Sequence, residues 1–182
     1  MNVVYNERKF TELLLYVAHR LADDRAGGAT KLNKVLFFAD FAHVRRTGTA
    51  ITGAEYQKLP QGPAPRRLLP VREQLVASSE AQLVREEFLG YEIHRLVPVR
   101  APDTSVFTTT ELETIDGVLA DLEGLNARQV SDLSHEEAGW RLTEVGEIIP
   151  YESALLGARQ VRTPTTERLE RQVAATYGLA PA

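Results

Sequence analysis

The 182-residue chain contains no cysteine, one methionine and one tryptophan. Without cysteine there is no disulfide, no thiolate nucleophile, no zinc ribbon and no iron–sulfur cluster. Long apolar runs are missing too: the longest, such as Leu13-Leu14-Leu15-Tyr16-Val17-Ala18, fall far short of the roughly 20 residues that a membrane span requires. That run follows Glu7, Arg8, Lys9 and Glu12 and lacks a small-residue cleavage site. No secretory leader or membrane insertion is therefore expected, and the expected location is a reducing cytoplasm. What remains, 43% hydrophobic and 25% charged residues, is the make-up of one folded domain with its own core rather than of a disordered or fibrous chain.

The net charge of −4 conceals a polarity along the chain. Residues 1–102 hold 15 basic and 11 acidic side chains, residues 103–152 hold two arginines against 12 acids, and residues 153–182 hold four arginines against two glutamates. An acidic block of this kind is either a solvated helix face or a surface for a basic partner.

Asn6 is placed to cap a helix in which Phe10, Leu13, Leu14, Val17 and Leu21 recur at three- and four-residue steps, ending at Asp23, Asp24 and Gly27-Gly28. From Thr30 to Arg46, Leu32, Val35, Leu36, Ala39 and His43 form one stripe, and Phe37, Phe41 and Val44 a second. A helix apolar on more than one face belongs in the middle of the core. In EYQKLPQGPAPRR, residues 55–67, the prolines and glycine exclude a helix interior and favour an extended segment running into a turn. A third helix follows from about Pro65. Leu83 to Phe88 and Tyr91 to Val99 read as a hairpin around Leu89-Gly90. Thr108 to Thr110 supply caps for a helix through Glu123, and a short helix spans Asn126 to Glu136. Tyr151 to Leu156 reads as a last strand or a turn of helix. The expected fold is mainly α, a single compact helical domain over residues 1–162 with a small antiparallel β element. Residues 163–182 form a peripheral helix or flexible tail with a thin stripe of Leu169, Val173 and Tyr177.

Motifs of known chemistry are broken. His135-Glu136-Glu137-Ala138-Gly139 has glycine where a zinc-protease motif needs its second histidine. The histidines at 19, 43, 94 and 135 fall in four different elements, so no metal or other cofactor is expected. In Gly27-Gly28-Ala29-Thr30-Lys31 the glycine before the lysine and the hydroxyl after it are absent, which breaks a phosphate loop. Asp40, within FFADFAHV, is the anomaly. A buried carboxylate must find a partner, with His43, a lysine or a helix N-terminus as the choices. A structural pair is the bland reading and a catalytic Asp–His pair the sharp one. Arg45, Arg46, Arg66 and Arg67 would make an accessory DNA-contacting patch if their segments pack together, against a sequence pI of 5.6.

The stretch KLNKVLFFADFAHVRRTGTAITGAEYQKLPQGPAP, Lys31 to Pro65, resembles the signature of the Panacea, or SocA-like, antitoxin domain family. Lys31, Leu32, Lys34, Leu36, Ala39 and Asp40 match its helix. Gly48, Ile51, Thr52 and Gly53 match its turn, and Tyr56, Gly62, Pro63 and Pro65 match its final segment. Phe37 and Phe38 replace the usual tyrosine pair, and Ala50 stands where proline is common. The likeness extends loosely to Ser134-His135 and Trp140. Most of these residues read first as scaffold: Tyr56 covers the central helix with its ring while its hydroxyl seeks a buried polar partner. The resemblance implies a non-enzymatic antitoxin that binds and neutralises a toxin encoded in the same bacterial or prophage operon. On that reading Glu111, Glu113 and Asp116 would suit a basic toxin, and Leu169, Val173 and Tyr177 would fold onto it. The alternative is a DNA-associated regulator or phage-type adaptor that uses the same domain without a toxin. A hydrolase using Asp40 with His43 or His135 is the third reading.

Overall fold

Asn6 accepts a hydrogen bond from the Lys9 amide at 3.0 Å and so starts α1, Glu7–Arg20. The computed structural model describes residues 3–88 and 90–156. Helix α2, Ala29–Thr47, ends at Gly48, whose left-handed backbone returns its N–H to the Val44 carbonyl at 2.9 Å. Both predicted stripes of α2 are buried. The helix is the hub of the fold, packed against α1 and several of the elements that follow it.

The proline-rich segment makes a two-rung antiparallel pair, β1 at Tyr56–Gln57 and β2 at Ala64–Pro65, before α3 at Leu68–Ala77. Strands β3, Ala81–Phe88, and β4, Tyr91–Pro98, form the predicted hairpin. A 3-10 turn at Thr104–Val106 leads into α4, Thr109–Asp121. Helices α5, Ala127–Glu136, and α6, Ala138–Leu142, follow, and a 3-10 turn at Tyr151–Leu155 is the last described element. Capping boxes open α4 (Thr108 with Glu111) and α5 (Asn126 with Gln129). The described residues are thus mainly α with two small antiparallel sheets.

Residues 146–149 lie alongside β1. The Ile149 amide donates to the Tyr56 carbonyl at 2.8 Å, the Lys58 amide to the Glu147 carbonyl at 2.9 Å, and the Gly146 amide to the Lys58 carbonyl at 2.8 Å. Periodicity does not announce this edge, because each partner is too short to show alternation. Arg95, buried on β4, donates to the carbonyls of Leu21 (2.7 Å) and Asp24 (2.9 Å) and satisfies the frayed end of α1. No described helix is long and apolar enough to cross a membrane. Leu169, Val173, Tyr177 and the boundary at residue 162 lie outside the described residues.

Candidate functional site

Asp40 sits fully buried in the middle of α2, one face of which meets the turn that follows. Its partners are none of the three foreseen. Asp40 Oδ1 accepts from the Thr52 amide at 2.7 Å, and Oδ2 accepts from Thr52 Oγ1 at 2.5 Å and lies 2.8 Å from the Tyr56 hydroxyl and 3.2 Å from that of Tyr151. The two tyrosine hydroxyls also reach the carbonyls of Leu36 (2.8 Å) and Ala54 (2.7 Å). Burial pushes the Asp40 carboxyl above the usual carboxylate range, although these hydrogen bonds pull it the other way. Each tyrosine hydroxyl thus has one hydrogen and two acceptors within reach, the Asp40 carboxyl and a backbone carbonyl. Around the node, Phe41 stacks on Tyr151 at 4.9 Å and meets Tyr56 edge-on at 5.8 Å.

His43 goes elsewhere. Its Nδ1 is 3.1 Å from Thr114 Oγ1 on α4, and burial lowers its pKa against the opposing pull of Glu111. The structure does not join Asp40 to His43 or His135 by a hydrogen bond. Gly53 allows the turn after α2 to press against the N-terminal segment: it has φ +67°, and a methyl there would overlap the Val4 carbonyl.

Three of the four acids of α4, Glu111, Glu113 and Asp116, are engaged within the fold. Lys9 Nζ donates to both oxygens of Glu111, at 2.6 and 2.8 Å, Arg46 Nη2 to Glu113 at 2.6 Å, and Arg20 Nη1 to Asp116 at 2.5 Å. Tyr16 adds a hydroxyl to Asp116 at 2.7 Å. The arginines considered for nucleic acid are answered as well. Arg45 pairs with Glu137 at 2.9 Å, Arg66 reaches Glu55 at 3.5 Å, and Arg67 lies 5.8 Å over the Tyr5 ring. Part of the polarity seen along the chain is therefore internal complementarity: Lys9 and Arg20 of α1 and Arg45 and Arg46 of α2 meet Glu111, Asp116, Glu137 and Glu113.

The first turns of α2 carry two buried lysines on different terms. Lys31, 1% exposed, donates to Asp24 at 2.6 Å and to the Leu125 carbonyl at 2.9 Å, with Leu32 buried beside it. Lys34, 2% exposed, donates only to the Pro63 carbonyl at 3.0 Å, and burial pushes its pKa down to about 8. Gly62, with φ +97°, brings the loop between β1 and β2 against it. A methyl at Gly62 would overlap Ser134 Oγ and come within 2.6 Å of Lys34 Cε and 2.8 Å of its Nζ. On the outer side of that loop Trp140 donates from Nε1 to the Leu59 carbonyl at 3.2 Å and stacks on His135 at 4.0 Å, with Lys58 Nζ 4.3 Å over its ring. Burial and the nearby Lys34 charge lower the His135 pKa. Among the described residues no three His, Asp or Glu side chains come together as metal ligands.

The signature residues thus converge on α2 and the two turns that brace it. A family model described as Antitoxin SocA-like, Panacea domain matches residues 32–141. The chain belongs to that family. No curated protein and no solved structure was found to match the chain. Within this Panacea domain, Asp40, Thr52 and Tyr56 make the buried node, Lys34, Gly62 and Pro63 the second brace, and His135 and Trp140 the clamp on the loop. Sequence reasoning missed Tyr151 as a node member, because it lies beyond the signature and 111 residues from Asp40. It also missed Asn33, a polar residue between two buried lysines; that crowding of polar groups at the head of a core helix was the available signal.

Proposed function

We propose that this chain is the non-catalytic antitoxin of a bacterial or prophage toxin–antitoxin pair and neutralises its cognate toxin in the cytoplasm by stoichiometric binding. The observation that carries the reading is the family match across residues 32–141. The distribution of surface apolar groups supports it. Leu142 is 73% exposed, and Leu133, Val145, Leu155 and Leu156 are also exposed, all on α5, α6 and the segment that follows. A partner protein has more apolar area to cover there than on α4, where Glu111, Glu113 and Asp116 are held in intramolecular pairs.

The test is expression of the adjacent open reading frame from a tight promoter, alone and with this chain. Growth arrest relieved by co-expression, with a copurifying complex, is the expected result. Leu142→Asp with Val145→Asp should weaken that complex, while Glu113→Lys with Asp116→Lys reports on the acidic face. Absence of both toxicity and complex would overturn the reading and move weight to a DNA-associated regulator. A salt-dependent shift of promoter DNA, lost on changing Arg45 and Arg46, then becomes the measurement.

A further inference from the structure

A buried ammonium offers three hydrogens, and an interior without a counter-charge is a costly place for it. Among the described residues the other buried lysine, Lys31, has a carboxylate, and half-buried Lys9 has one too. Lys34 has a single neutral acceptor, the Pro63 carbonyl. Two of its hydrogens are left without a protein partner, three residues along the same helix from a lysine that has a carboxylate and a carbonyl.

Lys34 lines a cavity of about 280 Å³, together with Asn33 and the loop residues Leu59, Pro60, Gln61 and Gly62. No acidic side chain lines it. Asn33 contributes a second unmet demand, since its Oδ1 is buried and has no partner. One wall is tightly packed: Gly62 is pressed against the Lys34 stem and Ser134, leaving no room for a methyl group, and Ser131 Oγ holds the Gln61 carbonyl at 3.1 Å. Two unsatisfied polar groups of opposite need therefore face one small cavity on rigid supports. A charge left unpaired inside a braced site is a binding site waiting for the complementary charge.

We infer that the cavity between the head of α2 and the loop of residues 59–63 is a carboxylate-binding site, with Lys34 Nζ as the charge partner and the Asn33 amide as the second hydrogen-bonding group. The ligand pairs an anionic oxygen with a neighbouring N–H, as the terminal residue of a peptide does. A free small acid and a carboxylate presented at the end of a polypeptide share this chemistry. Binding at pH 8 draws a proton onto Lys34, because the arriving negative charge raises the pKa that burial has lowered to about 8.

The test is a titration of the full chain, isotope-labelled, with N-acetylglycine, followed by amide and lysine side-chain NMR. Saturable millimolar shifts confined to residues 30–34 and 59–64 are expected, with the Lys34 titration midpoint moving upward. N-acetylglycinamide, which lacks the carboxylate, should give none. Lys34→Met should abolish the shifts while its unfolding transition stays cooperative. Asn33→Leu, which leaves the amine in place, should weaken binding several-fold without abolishing it. A tetrapeptide with a free C-terminal glycine distinguishes the sources: tighter binding than N-acetylglycine marks a polypeptide end, and equal binding marks a free small acid. Shifts that follow the amide analogue equally, that spread over surface lysines, or that fail to appear in the folded wild-type chain overturn the assignment.

Discussion

On the flank of α2 that faces α4, polar groups both buried and exposed have answers. His43 meets Thr114, Glu111 meets Lys9, and Arg46 meets Glu113. On the flank that faces the loop of residues 59–63, Lys34 keeps one carbonyl, and Asn33 and His135 each bury a polar atom with no partner. The same helix carries both, so the difference is not one of local propensity. Charge that is closed on itself fixes geometry; charge left open in a rigid wall is affinity held in reserve, kept at a cost in stability.

The largest effect should come from breaking the paired node at the centre of α2. Asp40→Ala leaves the Thr52 amide and three hydroxyl groups to re-pair in a buried core, and should cost about 3 kcal/mol or more in urea denaturation. Asp40→Asn keeps an acceptor for Thr52 and gives a donor to the tyrosine oxygens, so it should retain most of the stability. The pH dependence separates the two states of the wild type. A carboxyl held above its ordinary value stabilises the fold in acid, and this contribution is lost as pH rises through the ordinary carboxylate range toward the folded value. The stability of the wild type relative to Asp40→Asn should accordingly fall with rising pH over that window; a flat difference would place the proton elsewhere.

The open side should respond with the opposite sign. Lys34→Met removes a buried, unpaired charge from a site that a thioether of similar length can fill, and should stabilise the chain by about 1–2 kcal/mol at neutral pH. Because burial depresses the Lys34 pKa to about 8, the folded state binds fewer protons than the unfolded chain between that value and the ordinary lysine value. Wild-type stability therefore climbs across this alkaline window, and the advantage of the methionine variant should shrink with it. A destabilised Lys34→Met at all pH values would mean that the amine is fully satisfied in the native state.

Smaller effects belong to the α4 pairs. Glu111→Ala removes the Lys9 pair and half of a capping box, and should cost about 1–2 kcal/mol by thermal or chemical unfolding. Glu113→Ala and Asp116→Ala break exposed pairs and should each cost less than about 1 kcal/mol, further reduced by salt.

Much of this frame was legible in the chain. Asn6, Gly48, Thr108 and Asn126 mark helix ends through backbone chemistry that acts within four residues, and the two apolar stripes of α2 place it at the centre. The Lys31–Pro65 signature drew attention to the right helix. What stayed hidden were pairings whose partners are distant along the chain. Asp40 was recognised as needing an answer, but its neighbours on the helix were the wrong place to look, because the hydroxyls of Thr52, Tyr56 and Tyr151 arrive from later turns. The acidic block read as either a solvated helix face or a surface for a partner; some of its acids are answered by the basic half of the same chain. Lys34 looked like a scaffold residue, since an unpaired ammonium leaves no trace in a pattern of apolar spacing.

Tyr151 closes the node that Asp40 opens, and residues 146–149 complete the edge of β1. During synthesis the helix bearing Asp40 leaves the ribosome long before the tyrosine that shields it. The core of this protein therefore stays unfinished until more than one hundred further residues have been made, and a chain interrupted after α6 would carry nearly all of its recognisable signature and none of its final latch.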